Sequence, residues 1–193
     1  MNKKELRKHF LQQQKVLSLK QQTEFSQQIC EQFFNFTDLS EIHTLHIFLP
    51  IEKNNEINTW LIINYLQAHF PAIQIAAPKV ESSTFTIQNF VLSKETSFII
   101  NPWGITEPEN GEIIEARQID LVVLPLLCFD EKGFRVGYGK GFYDRFLANC
   151  RTDIKKTGLS YFSPVPMIED INQFDIAMNV CITPEENYIF PGF

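Results

Sequence analysis

The stretch GFRVGYGKGFYD, residues 133–144, combines residue types that a bound phosphate asks for. Gly137, Gly139 and Gly141 alternate with Val136, Tyr138, Lys140 and Phe142, followed by Tyr143 and Asp144. Glycine reaches positive φ at no steric cost, so alternating glycines let backbone N–H groups converge into an anion-binding concavity. Arg135 and Lys140 bring two cations to the same loop. A helix beginning near Gly141 would add the free amides of its first turn. Asp144, one turn in, could hold a magnesium ion through water against the phosphates.

Two familiar phosphate loops do not fit. A G-x-x-x-x-G-K-[ST] loop counted from Gly133 meets Tyr138 where it needs glycine, and Lys140 is followed by Gly141. A G-x-G-x-x-G fingerprint begun at Gly137 and Gly139 ends on Phe142. The preceding FDEKGFR is a good turn sequence, with Asp130 early and Gly133 where positive φ is needed. That turn accounts for Gly133 but not for three more glycines interleaved with Arg135 and Lys140.

The rest of the chain must hold this loop in place. Its 193 residues are 44% hydrophobic and 21% charged, an ordinary balance for one globular domain spanning residues 1–193. A net charge of -6 argues against non-specific nucleic-acid binding, so an anionic ligand needs a local basic cluster. The scattered Cys30, Cys128, Cys150 and Cys181 read as reduced, buried thiols, not a zinc site or disulfide frame. The first residues, MNKKELRKHF, lack the apolar core of a signal peptide, and no run is long enough to span a membrane. A cytoplasmic monomer is expected.

Apolar spacing predicts two helices in the first 36 residues, with Leu6, Phe10 and Leu17, then Phe25, Ile29 and Phe33, facing inward. Residues 43–50 and 72–78 read as strands around a helix at 57–70, whose Trp60, Leu61, Asn64, Tyr65 and Ala68 share related faces. A more exposed strand follows at 83–92, then a long loop at 101–118. The apolar run 119–129 reads as one central strand, buried on both faces. A helix starts near residue 141, and residues 155–162 and 178–184 supply two more strands. This alternation predicts an α/β fold with a largely parallel central sheet flanked by helices. The glycine loop then sits past the carboxyl end of a central strand, where open α/β sheets bind ligands.

Residues 120–147, DLVVLPLLCFDEKGFRVGYGKGFYDRFL, closely resemble the signature of the 5-formyltetrahydrofolate cyclo-ligase family, also called 5,10-methenyltetrahydrofolate synthetases. KKELR at 3–7, FLPIEKNNEINT at 48–59, NPWGITEP at 101–108 and FDIAMNVCITP at 174–184 are similar to its other segments. The resemblance covers essentially the whole chain and implies a fold of the sugar-phosphate isomerase and CoA-transferase type. It also implies a reaction: 5-formyltetrahydrofolate and ATP give 5,10-methenyltetrahydrofolate, ADP and phosphate, with magnesium.

On that resemblance Arg135 and Lys140 neutralise the ATP phosphates, and residues 136–143 cradle the nucleotide. Lys3 and Arg7, four apart on one helix face, close over the phosphates; taken alone they read as a solvated basic face. Asp144 and Asp175 hold the metal, a role for Asp175 that rests on the resemblance alone. Glu56 accepts hydrogen bonds from pterin N–H groups, although a helix N-terminal acid is an equal reading of it. Leu49, Trp103, Tyr138, Phe142 and Tyr143 surround the pterin, or serve as ordinary core. Two departures stand out: Phe142 where the family often has tyrosine, and Phe174 where it often has histidine. Lys79 reads as a solvated lysine, and none of the four histidines receives a role. Two other classes compete: a sugar-phosphate isomerase-like enzyme on the same fold, which needs a general base or glutamate nucleophile, and a non-catalytic folate- or nucleotide-binding module.

Overall fold

The computed structural model describes residues 1–81, 83–102 and 104–190. Two helices open the chain, α1 (Lys3–Val16) and α2 (Leu19–Phe36). Each starts at a capping box, Asn2 with Glu5 and Ser18 with Gln21, which satisfies backbone donors that a helix start leaves unpaired. Strand β1 (Thr44–Ile47), helix α3 (Trp60–His69), β2 (Gln74–Glu81) and β3 (Thr86–Val91) follow. Next come β4 (Phe98–Ile100), β5 (Thr106–Pro108), β6 (Ile113–Ile114) and β7 (Leu121–Pro125). The chain continues through β8 (Cys128–Phe129), β9 (Arg135–Val136), α4 (Phe142–Leu147), β10 (Lys155–Leu159), β11 (Val180–Ile182) and β12 (Asn187–Ile189).

The main sheet runs β12-β11-β10-β7-β1-β2-β3-β6 among the described residues. Its centre, from β11 through β10, β7 and β1 to β2, is parallel, and antiparallel pairs close both edges. The expected α/β architecture with a largely parallel sheet is the one observed. Side chains of β7 alternate between two cores: Leu121 and Val123 meet α2 and α3 on one face, Val122 and Leu124 meet α4 on the other. Burial on both sides explains why this strand has no polar face. In β1 the same alternation sends Leu45 and Ile47 toward α2 and α3, while His46 faces Phe146 of α4. A third, smaller core docks α1 through Leu6 and Phe10 onto Leu127, Cys128, Val136 and Ile168.

Three local expectations are corrected. The run 119–129 is two strands, because Pro125 offers no N–H to continue a central ladder, and Leu127 instead bonds Val136 across the β8–β9 hairpin. The region 101–118 holds two short strands, β5 and β6, in place of a structureless loop. Helix α3 buries Ile62, Ile63 and Leu66, while Asn64, Tyr65 and Ala68 face outward. Trp60 and Leu61 are half-buried between those faces. The four cysteines are free; Cys128 and Cys181 are buried, Cys30 and Cys150 half-buried. Burial pushes the Cys128 thiol up to about 12 and those of Cys30 and Cys150 to about 11, far from a nucleophile's range. No helix among the described residues is long and apolar enough to cross a membrane.

Candidate active site

The turn before the glycine loop is built by Asp130, buried at the end of β8. Its carboxylate accepts from the N–H groups of Lys132 and Phe134 (3.0 Å each) and of Ile168 (3.2 Å). Gly133 sits at φ +85°, as its turn position requires; a Cβ there would lie 2.6 Å from the Phe190 ring. This hairpin returns the chain to β9, so the glycine loop leaves β9 and not the central strand itself. It still lies beside Pro125 at the carboxyl end of β7 and Phe48 and Leu49 at that of β1.

A cavity of about 350 Å³ opens there. Its wall includes Lys3, Arg7, Leu49, Glu56, Arg135, every residue from Val136 to Asp144, and Asp175. All the residues singled out in the sequence therefore converge on one site, except Trp103, which lies outside the described residues. Further apolar wall comes from Pro78 and Val80 of β2, Ile87 of β3 and Ile105. No local spacing marks these residues; the β2–β3 pairing sets Val80 opposite Ile87, far from the glycine loop in sequence.

Two of the three alternating glycines have left-handed backbone, Gly139 at φ +92° and Gly141 at φ +69°. Gly137 does not, a correction to the expectation for all three. A Cβ on Gly137 would meet open space, whereas one on Gly139 would fall 2.9 Å from Cζ of Arg7. Arg7 Nε donates to the Gly137 carbonyl at 2.9 Å, which brings α1 against the loop. Helix α4 starts from Gly141 and is only six residues long, with Asp144 in its first turn. Arg145 Nη1 donates to the Lys140 carbonyl at 2.8 Å and fixes that end of the loop.

The charges divide into two kinds. Lys3 Nζ pairs with Asp175 Oδ2 at 2.5 Å, and Arg135 Nη2 with Asp144 Oδ1 at 2.8 Å. Arg135 is buried and also donates to the Ile176 carbonyl at 2.6 Å. Arg7 and Lys140, by contrast, have no carboxylate partner among the described residues, and Lys140 is exposed. Asp144 and Asp175 each spend one oxygen on these bonds and on the Ile176 and Asn172 N–H groups. One oxygen of each is left for a hard cation, a donor set that suits magnesium shared with ligand phosphates. No cluster of three or more metal-ligating side chains occurs among the described residues.

Also on the cavity wall, Glu56 accepts from the Ile51 N–H at 2.7 Å and from the Tyr138 hydroxyl. Burial pushes its carboxyl up to about 7, and those two hydrogen bonds only partly counter the effect. Gln14 of α1, itself buried, spans 3.5 Å to the Tyr138 hydroxyl and 2.8 Å to the Asn54 carbonyl. Thr59 donates to the Phe48 carbonyl at 2.7 Å and holds the segment after β1 in register. The Tyr143 hydroxyl lies 3.3 Å from Nε2 of His46, a histidine that sequence spacing left without a role. The contact joins residues 97 apart in sequence, so no local pattern announces it.

Comparisons with known proteins address the chain as a whole. The 5-formyltetrahydrofolate cyclo-ligase family model matches residues 1–180. The 5-formyltetrahydrofolate cyclo-ligase of Mycoplasma pneumoniae is 29% identical over 187 residues, covering 96% of this chain and all of the relative. That of Escherichia coli K12 is 24% identical over 184 residues, covering 91% and 96%. A structure of the Mycoplasma pneumoniae 5,10-methenyltetrahydrofolate synthetase superposes with TM-score 0.76 at 26% identity, over 96% of this chain and 100% of that one. The NMR structure of the Aquifex aeolicus 5,10-methenyltetrahydrofolate synthetase shares the fold, with TM-score 0.83 at 24% identity, over 100% of this chain and 95% of that one. With its sequence matched over nearly the whole length, the chain belongs to the 5-formyltetrahydrofolate cyclo-ligase family.

Proposed function

We propose that this protein converts 5-formyltetrahydrofolate to 5,10-methenyltetrahydrofolate with cleavage of ATP to ADP and phosphate. The observation that carries the reading is what one cavity brings together. Four cations and a glycine loop line it alongside Glu56, Tyr138, Tyr143 and apolar side chains.

The formyl group on N5 is amide-like, with a weakly electrophilic carbon and an oxygen that leaves poorly. Transfer of the γ-phosphoryl group to that oxygen turns it into a phosphate leaving group. N10 then attacks the formyl carbon, the ring closes, and the C–O bond breaks to release phosphate. Such a reaction asks for alignment and charge neutralisation more than for a protein nucleophile. Arg7 and Lys140, unpaired by carboxylates, meet the phosphate oxygens, while the loop amides from Gly137 to Gly141 cradle them. Arg135 and Lys3 add charge from their present ion pairs. Asp144 and Asp175 would hold magnesium, which neutralises phosphate charge as it develops. Glu56 receives N–H donors of the pterin, and Leu49, Phe142 and Tyr143 pack on its flat faces. The same reading takes the protein to act as a monomer.

The test mixes the protein with 5-formyltetrahydrofolate, ATP and magnesium and follows methenyl absorbance together with ADP. Both should rise in step. Lys140→Ala, at an exposed position, should keep the fold and lose about 2–4 kcal/mol of transition-state stabilisation, or roughly 30- to 900-fold in kcat/KM. ATP binding without ADP release would leave a non-catalytic binding module.

A further inference from the structure

Behind the cavity wall, Tyr143 ends a chain of three buried or half-buried polar side chains. The Asn89 amide donates from Nδ2 to the Ile114 carbonyl at 3.4 Å, which turns its Oδ1 toward His46 Nδ1, 2.9 Å away. That oxygen can only accept, so His46 carries its proton on Nδ1. A neutral imidazole then offers Nε2 as an acceptor, and the group facing it at 3.3 Å is the Tyr143 hydroxyl. The phenol must donate inward, and its oxygen lone pairs are left for the cavity that Tyr143 lines.

We infer that His46, fixed by Asn89, is a positioning residue that makes Tyr143 present a hydrogen-bond acceptor, and not a donor, to the ligand in the cavity. Surrounding chemistry supports this. His46 has no solvent exposure, its ring packs 4.7 Å from that of Phe146, and burial lowers its pKa to about 3, so it stays neutral. Glu56 and Arg135 lie on the same cavity wall as Tyr143. Tyr143 and Glu56 therefore form a pair of acceptors suited to a ligand with more than one N–H donor. Naming that ligand a reduced pterin rests on the proposed function; the orientation of the phenol does not.

Long-range ¹H–¹⁵N spectra of histidine-labelled protein read the tautomer directly, with no substrate present. His46 should show a protonated Nδ1 and an unprotonated Nε2 across the neutral range; a protonated Nε2 would overturn the inference. Kinetics give the second readout. Tyr143→Phe should raise KM for 5-formyltetrahydrofolate about tenfold, with kcat and the ATP KM little changed. Asn89→Asp, which draws a second proton onto His46 and makes Nε2 a donor, should raise that KM similarly. In the Tyr143→Phe background it should add nothing, whereas independent, multiplying effects would defeat the assignment. His46→Gln, which keeps an acceptor near Tyr143, should restore KM relative to His46→Leu. Should the protein prove inactive on folate altogether, the spectra still decide the orientation.

Discussion

At the residue scale, Glu56 is where pH should enter. An ordinary glutamate ionises near 4.5, and burial lifts this one to about 7. Between those values the folded protein holds a proton that the unfolded chain has lost, so Glu56 makes stability fall as pH rises through that window. Above about 7 the penalty is complete, and below about 4.5 it vanishes. Glu56→Gln should therefore flatten this part of the Tm–pH curve, as differential scanning calorimetry would show. Binding should respond in the opposite sense. Pterin N–H donors favour the carboxylate, so folate should bind more tightly as pH rises toward about 8, with release of a proton near neutrality. Calorimetric titration in two buffers of different ionisation enthalpy would detect that proton in the wild type and miss it in Glu56→Gln. An unchanged proton count would remove Glu56 from the ligand's reach.

At the scale of elements, the glycine loop separates two reasons for a glycine. Gly139 needs its left-handed backbone and the space that Arg7 fills; Gly137 needs neither, and its missing side chain leaves open space at the cavity. Gly139→Ala should thus lower Tm through backbone strain of about 1–2 kcal/mol and weaken ATP as Arg7 is displaced. Gly137→Ala should leave Tm unchanged within error and raise the ATP KM alone. Equal effects of the two on Tm would show that Gly137 also serves the backbone.

Sequence made the loop, its two cations and its carboxylate legible because their spacing is local. The apolar alternation of helices and strands likewise exposed the parallel sheet. Pairing decided what stayed hidden. His46 looked like one more polar residue until β1 placed it opposite α4, and no local spacing marked Pro78, Val80 and Ile87 on the β2–β3 ladder. The split of the run 119–129 was in principle readable from Pro125, whose missing N–H outweighs the apolar pattern.

At the scale of the whole molecule, a chain of net charge -6 gathers Lys3, Arg7, Arg135 and Lys140 around one cavity. Two of these come from α1, which reaches the rest of the site from the far end of the sequence. Helix α1 rests on a small core through Leu6 and Phe10, and three of its polar ties run to cavity residues: Lys3 to Asp175, Arg7 to Gly137 and Gln14 to Tyr138. The Lys3 and Asp175 side chains are only 16% and 17% exposed, so Lys3 can leave its carboxylate only for an equally charged partner, which phosphate oxygens supply. ATP with magnesium should therefore tighten α1 more than any other helix. At a hundred times Kd the ligand stabilises the native state by about 2.7 kcal/mol, and hydrogen exchange should show slower α1 amides along with the 137–141 loop. In a Lys3→Ala, Arg7→Ala double variant the protein should stay folded, the loop should still be protected at higher ATP, and the extra protection of α1 should be lost. Protection of the loop with no change in α1 of the wild type would instead assign the phosphates to the loop alone and leave α1 a purely structural cover.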